Sequence, residues 1–220
     1  VTITLNGDTY TNTVSSDATT VTITAAALQA LSNGSTYTLT ADVSDAAGNA
    51  AAQVTSSSFA VDTALPTISA IGTGAFSWGA VLNATEDNSN GTVSVTTSGA
   101  EDGQTVTITL NGDTYTNTVS SDATTVTITA AGLQALTEGS VTMTADVSDA
   151  AGNAAAQVTS SAFTYDKTAP TISQVTSTTN DGSYNIPDEI NITVGFSEAV
   201  TLSGGNLVVT LDTGGTATIS

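Results

Sequence analysis

The chain has 220 residues, with one cation, Lys167, against 20 acids, for a formal net charge of −19. That balance excludes nucleic-acid binding, which needs Lys and Arg to neutralise phosphates, and disfavours docking on anionic lipid; it suits a divalent cation or high salt, besides keeping the chain soluble. With no Cys and no His, disulfides, a Cys nucleophile, a His base and a His/Cys zinc site are all excluded, and no apolar run approaches the roughly 20 residues of a membrane span.

Read from its start, the chain states one unit and then states it again. Val1–Leu31 returns at Val106–Leu136 with a single change, Gly132 for Ala27, and Ala41–Ser57 returns at Ala145–Ser161. A unit of domain size, copied almost letter for letter, points to whole domains in tandem and to a task of reach and spacing. Within each copy apolar residues alternate with Thr and Ser at period two, as in Val106-Thr-Ile108-Thr-Leu110 and Val126-Thr-Ile128-Thr. This is the pattern of strands with one face in a core and one in water. Asn6-Gly7 and Asn111-Gly112 predict type I′ hairpin turns. Ala25–Leu31 and Ala130–Leu136, each closed by a Gly, predict a helical connector of one or two turns.

The fold class is therefore all-β: tandem antiparallel sandwiches of immunoglobulin-like layout, joined by the short linkers Asp62–Pro66 and Asp166–Pro170. The expected domains are 1–65, the C-terminal part of a first repeat; 66–166, a complete second repeat; and 167–220, the N-terminal part of a third repeat of a different subtype. Val1 falls at strand C of its unit, so the fragment reads as a window from a longer chain, the alternative being that neighbouring copies complete each other by head-to-tail exchange of strands. In the complete repeat strand A is predicted at 67–71, A′ at 81–84, B at 92–97 and C at 105–110. The next strand is predicted at 114–119, E at 124–129, F at 140–147 and G at 155–165. Phe76 and Trp78 are expected to cap or fill the core.

Asn83–Tyr115, the segment ADVSDAAGNAA at Ala145–Ala155 and VDTALPTIS at Val61–Ser69 together resemble the bacterial Ig-like extender repeats of giant calcium-dependent, RTX-type surface adhesins. These include the biofilm and ice-binding adhesins of Gram-negative bacteria. The resemblance covers the whole chain. It implies a stalk of repeats in series, stiffened by Ca²⁺ at the joints. Such a stalk is extracellular on the bacterial surface, and it projects a distal binding domain for adhesion and biofilm formation. The partners it implies are the neighbouring repeats of the same chain, with no nucleic acid and no membrane insertion.

Sandwich topology says where the calcium ligands would gather. The B–C and F–G loops share the end at which strand A enters. Asp62 of the linker, Glu101 and Asp102 of the B–C loop, and Asp149 and Asn153 of the F–G loop should therefore meet at one joint. Like charges about 4 Å apart cost roughly 4 kcal/mol per pair at an effective dielectric near 20, and a Ca²⁺ taking six to eight oxygen ligands reverses that sign. Asp45 and Asn49 are the same loop in the first copy. Asp166 and Glu198 are the candidates for the joint with the third repeat, to which Glu86 and Asp87 of the A–B loop could add. Each has a plainer reading: Asp-x-x-Gly-Asn is also a turn, Glu86 and Asp87 also suit a solvated loop, and Asp113, Asp122 and Asp146 read as surface charges. Catalysis is not expected, because the paired Glu101 and Asp102 sit in a Gly-flanked turn with no cleft implied. The alternative function is a ligand-binding module for ice or glycan, using the Thr rows Thr107/Thr109, Thr127/Thr129 and Thr142/Thr144.

Overall fold

In the computed structural model, which describes residues 1–201, 206–210 and 216–219, the alternating runs become strands. The chain divides into two units, Val1–Asp166 and Lys167–Ser220. In the first, the opening copy supplies β1 (Thr2–Leu5), β2 (Asp8–Thr11), α1 (Ala25–Gln29), β3 (Thr36–Tyr37), β4 (Thr40–Asp42), β5 (Val54–Thr55) and β6 (Phe59–Ala60). The complete copy begins with β7 (Thr67–Ile68), β8 (Val81–Asn83), β9 (Gly91–Ser98), β10 (Thr105–Leu110), β11 (Asp113–Thr118) and β12 (Ala123–Ile128). It ends with α2 (Ala130–Gln134), β13 (Gly139–Val141), β14 (Thr144–Asp146), β15 (Val158–Thr159) and β16 (Phe163–Asp166).

Two layers enclose the core of the complete copy. One is β12-β9-β7; the other is β11-β10-β14-β15, carried on by β13-β16-β8. Strict alternation of buried and exposed residues along β9 and β12 follows from this, with Val93, Val95, Val126 and Ile128 inside. Phe76 and Trp78 stack at 5.4 Å between ring centroids, and Phe163 meets both edge-on at 5.5 and 5.3 Å. They are core residues.

Strands F and G each break in two where a continuous run was predicted. Ser160 is the cause. Its buried hydroxyl accepts the Met143 N–H at 3.1 Å, replacing a main-chain acceptor, while its own N–H donates to Met143 O at 2.9 Å. Asn111 and Gly112 have φ of 52° and 88°, as a type I′ turn requires. Ser121 and Asp122 form a second turn of left-handed residues, with φ of 53° and 60°, which lacks Gly and leaves no such signature in the sequence.

Burial differs between the copies at matching positions. Val14 is 48% exposed and Val43 40%, while their counterparts Val119 and Val147 are 2% and 4% exposed. Residues 19–23 form no strand, although they match residues 124–128 letter for letter. Strand β12, by contrast, pairs with β9 along its whole length.

Asp87 is buried, against the solvated-loop reading. Its Oδ2 accepts the Tyr165 hydroxyl at 2.6 Å inside the complete copy. Burial, then this bond, then the charges of Asp87 and Glu138 push the Tyr165 pKa from 10.0 up to about 12. An unfolded chain ionises this phenol near pH 10, while the folded chain keeps its proton to about pH 12. The contribution is therefore whole below pH 10 and lost as pH rises through that window. Melting curves between pH 10 and 12 should show a decline in Tm that Tyr165→Phe removes; an identical decline in the variant would refute the assignment.

In the second unit β17 (Ile172–Ser177) pairs antiparallel with β18 (Ile192–Phe196), and β19 (Leu207–Thr210) with β20 (Thr216–Ile219). Ile192, Val194, Phe196, Leu207 and Val209 line a cavity of about 420 Å³.

Candidate functional site

Three segments meet at the end of the complete repeat where β7 enters. In the linker, Asp62 Oδ1 accepts the Ala64 N–H at 2.9 Å, a turn closed by the residue's own side chain. The Asp62 carbonyl accepts Asn153 Nδ2–H at 3.2 Å. In the B–C loop, Glu101 Oε2 accepts the Ala150 N–H of the F–G loop at 2.8 Å. Gly99 lies against the linker as well, since a Cβ there would stand 3.5 Å from the Pro66 Cα. The linker, the B–C loop and the F–G loop are thus fastened together by Asn153 and Glu101.

Asp149 organises the F–G loop. Its Oδ1 accepts the Asn153 N–H at 2.7 Å and its Oδ2 accepts Asn153 Nδ2–H at 2.8 Å, while main-chain bonds join Asp149 N–H to Asn153 O and Gly152 N–H to Asp149 O. The Asn153 amide above all, helped by the N–H groups of Asn153, Gly152 and Ala151, holds the Asp149 carboxyl below the usual range despite its burial. Asp45 and Asn49 make the same bonds in the first copy at 2.7 and 2.8 Å, and Asn49 likewise lowers the Asp45 carboxyl. The Asp-x-x-Gly-Asn segment closes on itself as a turn in both copies, and in the complete copy Asn153 also reaches the linker.

The other candidates stand apart. Asp102 Oδ1 accepts the Ser121 N–H at 2.7 Å and supports the glycine-free turn before β12. Glu86 Oε2 accepts the Asn83 N–H at 3.1 Å, and Asp87 serves Tyr165. Asp166 closes β16 and is exposed. In the second unit, Glu198 follows β18 and its Oε1 is buried without a hydrogen-bond partner among the described residues. Asp113 and Asp122 are exposed, while Asp146 takes both its bonds from Gln157 Nε2 at 3.0 and 2.9 Å.

The junction donors are carboxylate and carbonyl oxygens, the kind a hard divalent cation takes. Their number and closeness are another matter: among the described residues no three acidic side chains stand together as a metal-binding group. Asp149 gives both carboxylate oxygens to N–H donors, Asp62 gives Oδ1 and Glu101 gives Oε2.

The Thr rows do not form one surface. Thr107 and Thr109 on β10 face Thr116 and Thr114 on β11; across β14, Thr109 faces Thr144 but Thr107 faces Asp146. Thr127 lies on β12 in the other layer. Among the described residues no helix is long and apolar enough to cross a membrane.

No protein-family model and no curated protein matches the chain. Solved structures do. A Ca²⁺-stabilized adhesin that helps an Antarctic bacterium reach out and bind ice is 32% identical, over 80% of this chain and 42% of its own, with a TM-score of 0.44. A 1.5-MDa bacterial ice-binding adhesin, studied for its retention on the host cell surface, is 30% identical over 76% of this chain and 52% of its own, TM-score 0.40. A bacterial immunoglobulin-like domain from the M. primoryensis ice-binding adhesin is 32% identical over 46% of this chain and 93% of its own, TM-score 0.32. The chain spans about half the length of the first two. Kinship rests on identity sustained through nearly all of that single domain; the TM-scores, all below 0.5, add nothing to it.

Proposed function

The chain belongs to the bacterial immunoglobulin-like repeats of large adhesins, and from that premise we propose that it is a length of stalk in an extracellular, cell-surface adhesin. Its repeats, at 1–65, 66–166 and 167–220, stand in series and hold a distal binding domain away from the cell for adhesion and biofilm formation. It performs no catalysis, and its partners are the adjoining repeats of its own chain.

The observation that supports this reading best is the fastening of the linker by Asn153 to Asp62 O, beside the Glu101 bond to Ala150 N–H. A joint held by both neighbouring loops has fewer hinge conformations, so module lengths add along the stalk. Calcium is part of the proposal. Asp62, Glu101, Asp149 and Asn153 are the residues that would hold it, with Asp45 and Asn49 in the same role one copy earlier. Bound there, it would supply charge neutralisation to a chain carrying −19.

A calcium titration of the whole chain tests both parts. Ligand at about 100 times its Kd adds about 2.7 kcal/mol to the state that binds it. Millimolar calcium should therefore raise Tm by several degrees and narrow the distribution of solution dimensions in small-angle scattering. EDTA should reverse both, and Asp62→Ala should blunt both. A melt and a scattering profile indifferent to calcium and EDTA would remove calcium from the proposal. A chain of compact dimensions in every condition would remove the stalk.

A further inference from the structure

The complete repeat contains one pair of parallel strands among its described elements, and it joins the strand by which the chain leaves. Thr164, Tyr165 and Asp166 of β16 lie beside Val81, Leu82 and Asn83 of β8 in the same direction. The Thr164 N–H donates to Ala80 O at 2.9 Å. Just past the end of β8, Asp87 accepts the Tyr165 hydroxyl at 2.6 Å, the length of a charge-assisted O–H···O bond. Both residues are buried, Tyr165 at 1% and Asp87 at 5% exposure, so water does not compete for the bond.

These contacts lie on the load path of a pulled chain. Tension enters at Pro66, runs through β7 and the segment to β8, and leaves along β16. Between β8 and β16 it must cross the parallel ladder along the strand direction, so the bonds bear the load together and cannot open one after another. The Tyr165–Asp87 bond ties the exit strand to the loop behind its neighbour and opposes the same sliding. In the first copy the position of Tyr165 is held by Val61, which has no hydroxyl.

Resting on the stalk reading above, we propose that the buried Tyr165–Asp87 bond is a latch on the exit strand that sets how long the complete repeat withstands tension. Val61, at the matching position of the first copy, has no hydroxyl with which to make such a bond.

The test holds the 220-residue chain by its two ends at constant force and measures the lifetime of the complete repeat. Tyr165→Phe should shorten that lifetime on the order of tenfold, as loss of a buried hydrogen bond to a charged acceptor implies. Tyr165→Val, the first copy's residue, should shorten it at least as much. Asp87→Asn keeps an acceptor oxygen and should restore most of the lifetime lost in Asp87→Ala. A second pulling axis, with handles at Asp113 and Asp122, loads β11 and bypasses the ladder; there Tyr165→Phe should change little. Unchanged lifetime under end-to-end load, or equal losses on both axes, would overturn the latch. Solution dimensions of the unmodified chain decide the stalk reading separately, so the two can fail independently.

Discussion

Trp78→Ala is expected to remove about 3–5 kcal/mol from the complete repeat, the cost of truncating a fully packed aromatic core residue. Trp78 is stacked on Phe76 and edge-on to Phe163. All three rings are buried among Leu82, Val93 and Leu133. Truncation removes the ring contacts and leaves a hole that the flanking strands cannot close without moving β9 away from Ser77, whose N–H and hydroxyl both bond Thr92. A domain of this size holds only about 5–15 kcal/mol in total, and 1 kcal/mol moves Tm by roughly 4–8 °C. The melt followed by far-ultraviolet circular dichroism should therefore fall by about 15 °C or more. A drop of only a few degrees would mean that the aromatic cluster is peripheral to stability.

Gly91→Ala should cost about 3 kcal/mol, for the opposite reason: there is no room. A Cβ at this buried position would stand 2.4 Å from Trp78 Cζ3, 2.7 Å from Cε3 and 3.2 Å from Leu133 Cδ1. The two nearest are atoms of a packed ring with nowhere to swing. Gly132 offers a graded comparison. A Cβ there would meet the far end of the half-buried Tyr115, and the first copy carries Ala27 at the same place, so Gly132→Ala should cost much less. Trp78 is the one tryptophan of the chain, so its emission reports on this core alone. Gly91→Ala should shift the emission to the red and lower the denaturant midpoint. An unchanged midpoint would show that the ring yields freely.

The features legible in the sequence were those that act locally. Period-two alternation located β9 through β12, Asn-Gly located the tight hairpins, and the run Ala130–Leu136 closed by a Gly located α2; its cap, the Thr129 hydroxyl accepting the Gly132 N–H at 3.2 Å, falls on a residue assigned from sequence to strand E. Shared ends of a sandwich brought Asp62, Glu101, Asp149 and Asn153 to one place. What escaped was decided by distant partners. Ser160 reads as one more serine on strand G until Met143 lies opposite. Asp87 reads as a loop acid until Tyr165, 78 positions away, comes beside it. Asp102 looked like a companion to Glu101, yet adjacent residues point different ways, and its oxygen supports the turn at Ser121. The metal question has the same cause: spacing can deliver acids to one end of a domain, but their final orientation is set by whichever N–H groups arrive with them.

The repeated half of the sequence keeps its pairings in both copies. The β1–β2 hairpin, the β4–β5 pair and the closed Asp45 loop of the first match β10–β11, β14–β15 and the Asp149 loop of the complete one, and the long-range β1–β4 pairing matches β10–β14. One stretch written twice thus yields the same four-stranded sheet twice, so a substitution in that sheet can be read in two settings within a single molecule.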